Sequence, residues 1–435
     1  MTTVAETTET LESLEPTRGP ARRRGGLLWQ REFRLLWTGR TVSTLGNAVS
    51  GVAMPLVALQ VLHSGPATLG LLNAASWLPW LVVGLPAGAL IDRLPRRATM
   101  LVCNLIWTVL VGSVPVAAAL GVLTVAQLVA VCLLGGVVSV FFSPAYQAYL
   151  PALLAKDDLA EGNAKLQGAG QAAVVGGSGL GGLLVQALGA VSGMVLDAAS
   201  FLFSAACLLL IRTRATVRQA PAARRTTLRR EISEGLRFVA RDPYLRVMTI
   251  GAAVDNLLLA AGHALLVVFL IRSVGVGAGT VGLLMAFDCL GGVFGAAVAN
   301  RLARRLGTAR ALLALSLGST PFGLLIPLTH GGWGLACYAA GLFVPSAGIV
   351  AVNVIGATFR QSYCPPDMLG RITTSGSFVS FGLIPLGALL GGVLGAAIGV
   401  RETLALALAA GAVGKLILLA GPIRKSRDLP LEATP

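Results

Sequence analysis

A few charged and amide side chains stand inside long apolar runs of this chain. Burying each one in lipid costs several kcal/mol unless it faces a partner or water. Arg40, Ser43, Thr44 and Asn47 recur at helical spacing in the first run, forming a polar stripe suited to a cavity wall. Asp255, Asn256 and His263 fall in the seventh run, where Asn256 and His263 share one helix face within about 20°. Asp288 lies near the middle of the eighth run and Asp197 a few turns into the sixth. A carboxylate at that depth, reachable from both sides and partly desolvated, can carry a proton across a membrane. Asp255 and Asp288 are therefore the proton-coupling candidates, with a buried structural role as the competing reading. Arg40, Asn47, Asn256 and His263 are the substrate-cavity candidates. Against that stand two plainer readings: Arg40 is close enough to its run's start to snorkel, and a lone His263 suits ordinary packing.

Other chemistries lack their residues. Three histidines and six cysteines (Cys103, Cys132, Cys207, Cys289, Cys337 and Cys364), with no CxxC pair, offer no metal site. The cysteines fall mostly in apolar runs and read as small packing residues. There is no P-loop, no nucleophile elbow and no pair of catalytic histidines, so no catalytic residue, cofactor or direct use of ATP is expected. The chain does not read as an enzyme.

The elements that must position these residues follow from composition. Of 435 residues, 55% are hydrophobic and 12% charged, against roughly 25% charged in soluble domains. That excludes a water-soluble enzyme of several domains. Mean hydropathy is +0.78, and 54 glycines suit membrane helices. Twelve spans of about 21 residues would use about 250 residues. The apolar runs divide that way, at 34–62, 67–91, 98–120, 124–149, 163–186, 190–211, 244–271, 277–299, 311–330, 334–359, 372–396 and 401–421. The expected fold class is an all-α polytopic membrane protein.

Net charge of +15 would suggest nucleic acid in a soluble chain. Here no basic patch is interleaved with aromatics, and the charge marks membrane sidedness instead. With these spans, thirty of the 34 Lys and Arg residues fall on one side; Arg272 and Arg401 fall on the other, and Arg40 and Lys415 inside spans. Both termini are expected in the cytosol of a cell whose plasma membrane holds the protein. Residues 34–211 and 244–421 are equal in length, and Asp92-Arg93-Leu94-Pro95-Arg96-Arg97 aligns with Asn300-Arg301-Leu302-Ala303-Arg304-Arg305. Two parallel six-helix bundles explain the repeat. Residues 1–33 are expected as a disordered cytosolic tail, 212–243 as a cytosolic loop with an amphipathic helix, and 422–435 as a second tail.

Gly88-Ala89-Leu90-Ile91-Asp92-Arg93-Leu94-Pro95-Arg96-Arg97 resembles the loop motif of the major facilitator superfamily, with Pro95 where that family usually has glycine. The resemblance implies the major facilitator fold and gating roles for Gly88, Asp92, Arg93, Arg96 and Arg97. Asp197-Ala198-Ala199-Ser200-Phe201, Glu234-Gly235-Leu236-Arg237-Phe238, Pro366-Asp367-Met368-Leu369-Gly370-Arg371 and Pro385-Leu386-Gly387 resemble stretches of its macrolide-efflux and enterobactin-exporter branch of drug:proton antiporters. Asn47 stands where those relatives often carry aspartate, and Arg40 where an uncharged polar residue is usual. The run Ala173–Gly182 is similar to the antiporter glycine motif, so Gly177, Gly181 and Gly182 are expected to pack helices closely. The fold implied by the resemblance favours a structural role for Asp197, because sixth spans pack on the outside of a bundle.

The expected function is proton-coupled efflux of a small, largely apolar compound by alternating access: a drug, antibiotic, siderophore or secondary metabolite. The partners are that substrate, protons and the lipid bilayer, with no nucleic acid, and the protein acts as a monomer. The alternatives are an uptake carrier of the same fold and a non-transporting membrane sensor or scaffold. Loop charge sets the first test. In a cysteine-free background, Arg225→Cys is expected to resist a membrane-impermeant thiol reagent in intact cells while Gly331→Cys is labelled; the opposite pattern reverses the orientation.

Overall fold

The computed structural model describes residues 27–83, 94–154, 158–212, 228–364 and 368–430. Lipid offers backbone N–H and C=O groups no partner, so a chain this apolar satisfies them within each segment, as helix. The helices are α1 (Arg31–Leu56), α2 (Pro66–Val82), α3 (Arg96–Ala119), α4 (Val125–Leu153), α5 (Leu159–Leu188), α6 (Ala190–Leu210) and α7 (Leu228–Arg241). They continue as α8 (Pro243–Val268), α9 (Ala278–Leu306), α10 (Thr308–Ser319), α11 (Leu335–Tyr363), α12 (Leu369–Gly382), α13 (Ile384–Ala397) and α14 (Val400–Gly414). Among the described residues there is no strand, and ten helical segments are long and apolar enough to cross a membrane. The remaining two expected spans map to α2, which borders residues outside the described set, and to α10. The latter holds only twelve residues and continues as a 3-10 stretch, Thr320–Leu325; Pro321 at its start has no N–H to extend an α-helix.

The repeat in the sequence reappears in irregular detail. α1 widens into a π turn at Val57–Val61, and α8 does the same at Phe269–Val274. Arg96 and Arg97 at the start of α3, Lys165 near the start of α5, Arg301, Arg304 and Arg305 at the end of α9, Arg310 at the start of α10 and Arg360 at the end of α11 mark a basic end. The turns at Leu62–Gly65, Leu120–Thr124, Gly189, Gly275–Gly277 and Gly399 define the far end.

Burial differs between the two ends. One apolar cluster at the basic end uses only residues of the first half, including Phe33, Met100 and Tyr149, and a second uses only residues beyond Phe238, including Ile355 and Phe359. The largest cluster draws on both halves, with Leu56, Leu69 and Val185 packed with Leu265, Phe269 and Val281 at the far end.

Chain ends expected as tails are partly built into the helices. Leu27 is buried beside the basic-end cluster, and α1 begins at Arg31, ahead of the expected limit. After α14 the chain runs back over α10: Thr308 N donates to Asp428 Oδ1 at 2.9 Å, Ala309 N to Arg427 O at 3.1 Å, and Leu429 N to Thr308 Oγ1 at 2.7 Å. Orphan donors at the α10 N-terminus, and its positive dipole end, explain why an aspartate settles there. The central stretch contains α7, which packs on α12 and α8. Asp242 then caps α8, accepting from Tyr244 N at 3.0 Å and Leu245 N at 2.8 Å, while Tyr363 Oη donates to its other oxygen at 2.5 Å.

Asp197 is fully buried where α6 packs on α1. Ser50 Oγ donates to Asp197 Oδ2 at 2.6 Å, and Ser200 Oγ donates to the Asp197 backbone carbonyl at 2.7 Å. This carboxylate ties two helices of the first half together. Asp197→Leu, which leaves the Ser50 hydroxyl without its acceptor, is expected to cost about 1–3 kcal/mol of stability. Asp197→Asn, which keeps an acceptor, is expected to cost less. Thermal unfolding of the purified protein checks the order; equal stability of the two variants contradicts the tie.

Candidate functional site

Two adjoining cavities open along the first half. One, of about 440 Å³, is walled by Arg40, Thr44, Asn47 and Ser178 on one side and by Asp288 and Cys289 of α9 on the other. The second, of about 810 Å³, shares Arg40, Thr44, Asn47, Val174 and Phe201 with it and extends toward the basic end as far as Leu150 and Asn163. The polar residues on its walls come at four-residue intervals: Ser139, Ser143 and Gln147 on α4, and Asn163, Gln167 and Gln171 on α5. That spacing puts each trio on one helix face. Sequence reading missed both stripes. Their signal was legible as polar side chains recurring every fourth residue inside apolar helices.

The predicted residues separate into three groups. Arg40, Asn47 and Asp288 come together around the smaller cavity. Asp255 does not join them: its Oδ2 pairs with Lys415 Nζ, joining α8 to the end of α14, with the Lys415 side chain 10% exposed. Asn256 Nδ2 donates to Ser380 O of α12 at 2.9 Å, and His263 is exposed on α8; neither lines the two cavities. Cys289 and Cys103 line cavity walls rather than serving only as packing residues. Among the described residues, no group of three His, Cys, Asp or Glu could hold a metal ion.

Of the basic-turn motif, Gly88, Asp92 and Arg93 lie outside the described residues. Arg97 is a helix cap, with Nε donating to Leu208 O and Nη2 to Leu209 O, each at 2.9 Å. A cation at those carbonyls satisfies orphan acceptors at the C-terminus of α6 and its negative dipole end. Arg96, at the start of α3, is held by a contact of its own.

The glycines of α5 serve two interfaces. A β-carbon at Gly177 would sit 2.6 Å from Leu45 O, and one at Gly181 2.9 Å from Val49 Cα, so this face lies against α1. Gly182 points the other way: its β-carbon would sit 2.8 Å from Gly282 Cα on α9, in the opposite half. A second crossing repeats the arrangement, where a β-carbon at Gly70 of α2 would sit 2.8 Å from Gly392 Cα on α13. Both crossings lie at the far end. They are reinforced by Arg272 Nη2 donating to Ser64 O at 2.7 Å and Gly279 N donating to Gln186 Oε1 at 3.0 Å. The sequence carried a signal for these partners: Gly65-Pro66-Ala67-Thr68-Leu69-Gly70 and Gly277-Ala278-Gly279-Thr280-Val281-Gly282 are the same G-x-x-T-x-G pattern in the two halves.

A helical membrane protein with a cavity carrying a few charged and amide groups behind a closed interface between two repeated halves is a transporter of the major facilitator type. The chain belongs to the transmembrane secretion effector family, whose model matches residues 27–434. It is 28% identical over 402 residues to the multidrug efflux pump Tap of Mycolicibacterium fortuitum, covering 90% of this chain and 95% of that one. The fold is similar to that of the nucleoside transporter NupG, with a TM-score of 0.72 at 11% identity over 91% of this chain and 99% of that one. It is also similar to a bacterial homologue of the iron transporter ferroportin in its inward-facing state, with a TM-score of 0.70 at 16% identity over 90% and 98% of the chains. The outward-facing state of that homologue scores 0.58 at 15% identity, covering 89% and 98%.

The glycine crossings generate the next test. Gly282→Leu places a side chain where a β-carbon alone would lie 2.5 Å from Ser178 O. The far end is then expected to open, raising the rate at which an impermeant thiol reagent added from that side labels Ser178→Cys, on the order of tenfold for a shift of about 1.4 kcal/mol. An unchanged rate contradicts the closure.

Proposed function

We propose that the protein exports a small, largely apolar compound from the cytosol in exchange for protons, as a monomer in the plasma membrane with both termini cytosolic. The carrying observation is the asymmetry of contact. The halves join at the far end through α5 with α9 and α2 with α13, and a largely apolar cavity that holds the charged and amide groups of Arg40, Asn47 and Asp288 lies behind that closure. Basic loops stay in the cytosol as a rule, so the cavity extends toward the side on which an exporter loads. Similarity to a multidrug efflux pump supports the export direction. The six-helix units 34–211 and 244–421 move against each other, and the turn from Gly88 to Arg97 latches the basic end in the opposite state.

Asp288 is the better candidate for the proton. It faces the cavity between the halves, and no Lys or Arg lies within ion-pair distance of it among the described residues. Asp255 shares its oxygen with Lys415, so a proton there would have to displace an ammonium. The lone acid suits a carrier that must be neutral in one state and charged in another.

Transport of a fluorescent apolar dye into liposomes under an imposed pH gradient tests the reading. Asp288→Asn is expected to cut gradient-driven transport about tenfold or more, a loss of about 1.4 kcal/mol or more in driving the cycle. Dye binding to the purified variant is expected to persist, because the amide mimics the protonated acid. Normal pumping by Asp288→Asn overturns the coupling role, and an indifferent wild type overturns proton-driven export.

A further inference from the structure

Arg40 is held in an unusual way for a cation within a span. Its guanidinium carbon lies 5.4 Å from the Phe142 ring centroid and 5.0 Å from that of Tyr146. Those two rings are stacked on each other, 6.1 Å apart and 10° from parallel. Aromatic faces attract the cation, and a guanidinium placed over a ring keeps N–H donors at its edge for in-plane hydrogen bonds. Among the described residues no carboxylate lies within ion-pair distance of Arg40. A cation this deep in a span normally has a partner or water, and this one faces the cavity.

The rest of the 810 Å³ cavity describes what that partner would be attached to. Among the described residues no Asp or Glu lines it. Trp80, Trp107 and Phe201 add flat apolar surface beyond Phe142 and Tyr146, with Trp107 and Phe201 in contact at 5.3 Å between centroids. Gln167 and Gln171 make no side-chain hydrogen bond to protein among the described residues, so their amides are free to donate or accept. The volume lies within the range that small organic ligands occupy. An inorganic anion would leave the aromatic walls uncovered, and an organic cation would meet Arg40 with Asp288 of the adjoining cavity as its counter-charge rather than any acid among the described residues of this one.

We propose that this cavity takes an organic carboxylate with a planar aromatic body, Arg40 receiving the carboxylate and the aromatic walls receiving the body. Arg40 is thus a specificity-determining residue of the transport site, and Phe142 and Tyr146 position its donors. The inference rests on the export reading only for the cavity's role in transport; the selectivity is a binding property and is read without transport.

The test uses the purified full-length protein in lipid nanodiscs and three pyrene probes: pyrenebutyrate, its neutral primary amide, and a pyrene bearing a trimethylammonium group. Binding is followed by probe fluorescence. The carboxylate is expected to bind about tenfold more tightly than the amide, as a charge-assisted hydrogen bond to a guanidinium allows, and the ammonium more weakly than either. Arg40→Gln is expected to bring the carboxylate and amide to equal affinity. Arg40→Lys keeps the charge but loses the planar fork, and is expected to retain part of the preference. Both variants are compared at matched thermal stability with the wild type, so a folding defect is recognised as such. Equal affinity of carboxylate and amide in the wild type, or no saturable binding of the carboxylate, overturns the proposal. So does an undiminished preference in folded Arg40→Gln. If instead the preference is found and gradient-driven transport is not, the export reading fails while this one stands.

Discussion

Two backbone crossings hold the halves of this transporter together, Gly182 against Gly282 and Gly70 against Gly392. Lipid supplies no hydrophobic drive for helices to associate, so close packing and interhelical hydrogen bonds must do it, and small residues permit both. The crossings are related by the internal repeat: α2 and α9 hold equivalent positions, as do α5 and α13. Everything above them follows. The largest apolar cluster forms across the joint at the far end, while each half keeps a separate cluster at the basic end. The space left between α1, α4, α5 and α9 becomes the cavity.

The charges buried along these helices are handled in distinct ways, which separates their roles. Asp197 is closed off by Ser50 and Ser200 and serves packing. Asp255 is matched by Lys415, so two intramembrane charges cancel at one contact. Arg40 is covered by aromatic rings, and Asp288 faces the cavity without a cation beside it. Only the last two are available to something that enters and leaves. At the basic end, charge is spent on helix termini instead, with Arg97 at the C-terminus of α6 and Asp428 at the N-terminus of α10.

Much of the architecture was legible from the residues because lipid leaves few options. Apolar run length located most helices, and the G-A-L-I-D-R-L-P-R-R stretch pointed to the superfamily; the glycine run of α5 was visible as a motif, but not that Gly177 and Gly181 meet α1 while Gly182 meets α9. Pairings across long separations were not legible. Nothing local in the sequence joins Asp255 to Lys415, 160 residues away, because the contact exists only once α8 and α14 pack. Asn256 fell on the expected helix yet turned to a backbone carbonyl of α12, since helical spacing fixes a face but not the neighbour it meets. Residues 422–435 were expected as a cytosolic tail, and the docking of Arg427 to Leu429 depends on an N-terminus supplied by α10.

If export proceeds as proposed, the far end opens as the basic end closes, in one motion about the glycine crossings. Spin labels at Val122 and Trp333 report the far end, and labels at Leu210 and Arg310 the basic end. Distances for both pairs are measured by pulsed electron resonance in nanodiscs as the pH is lowered. The expected result is reciprocal change, the far-end distance lengthening in the same population in which the basic-end distance shortens. Movement of the two pairs in the same direction, or of one pair without the other, would contradict it.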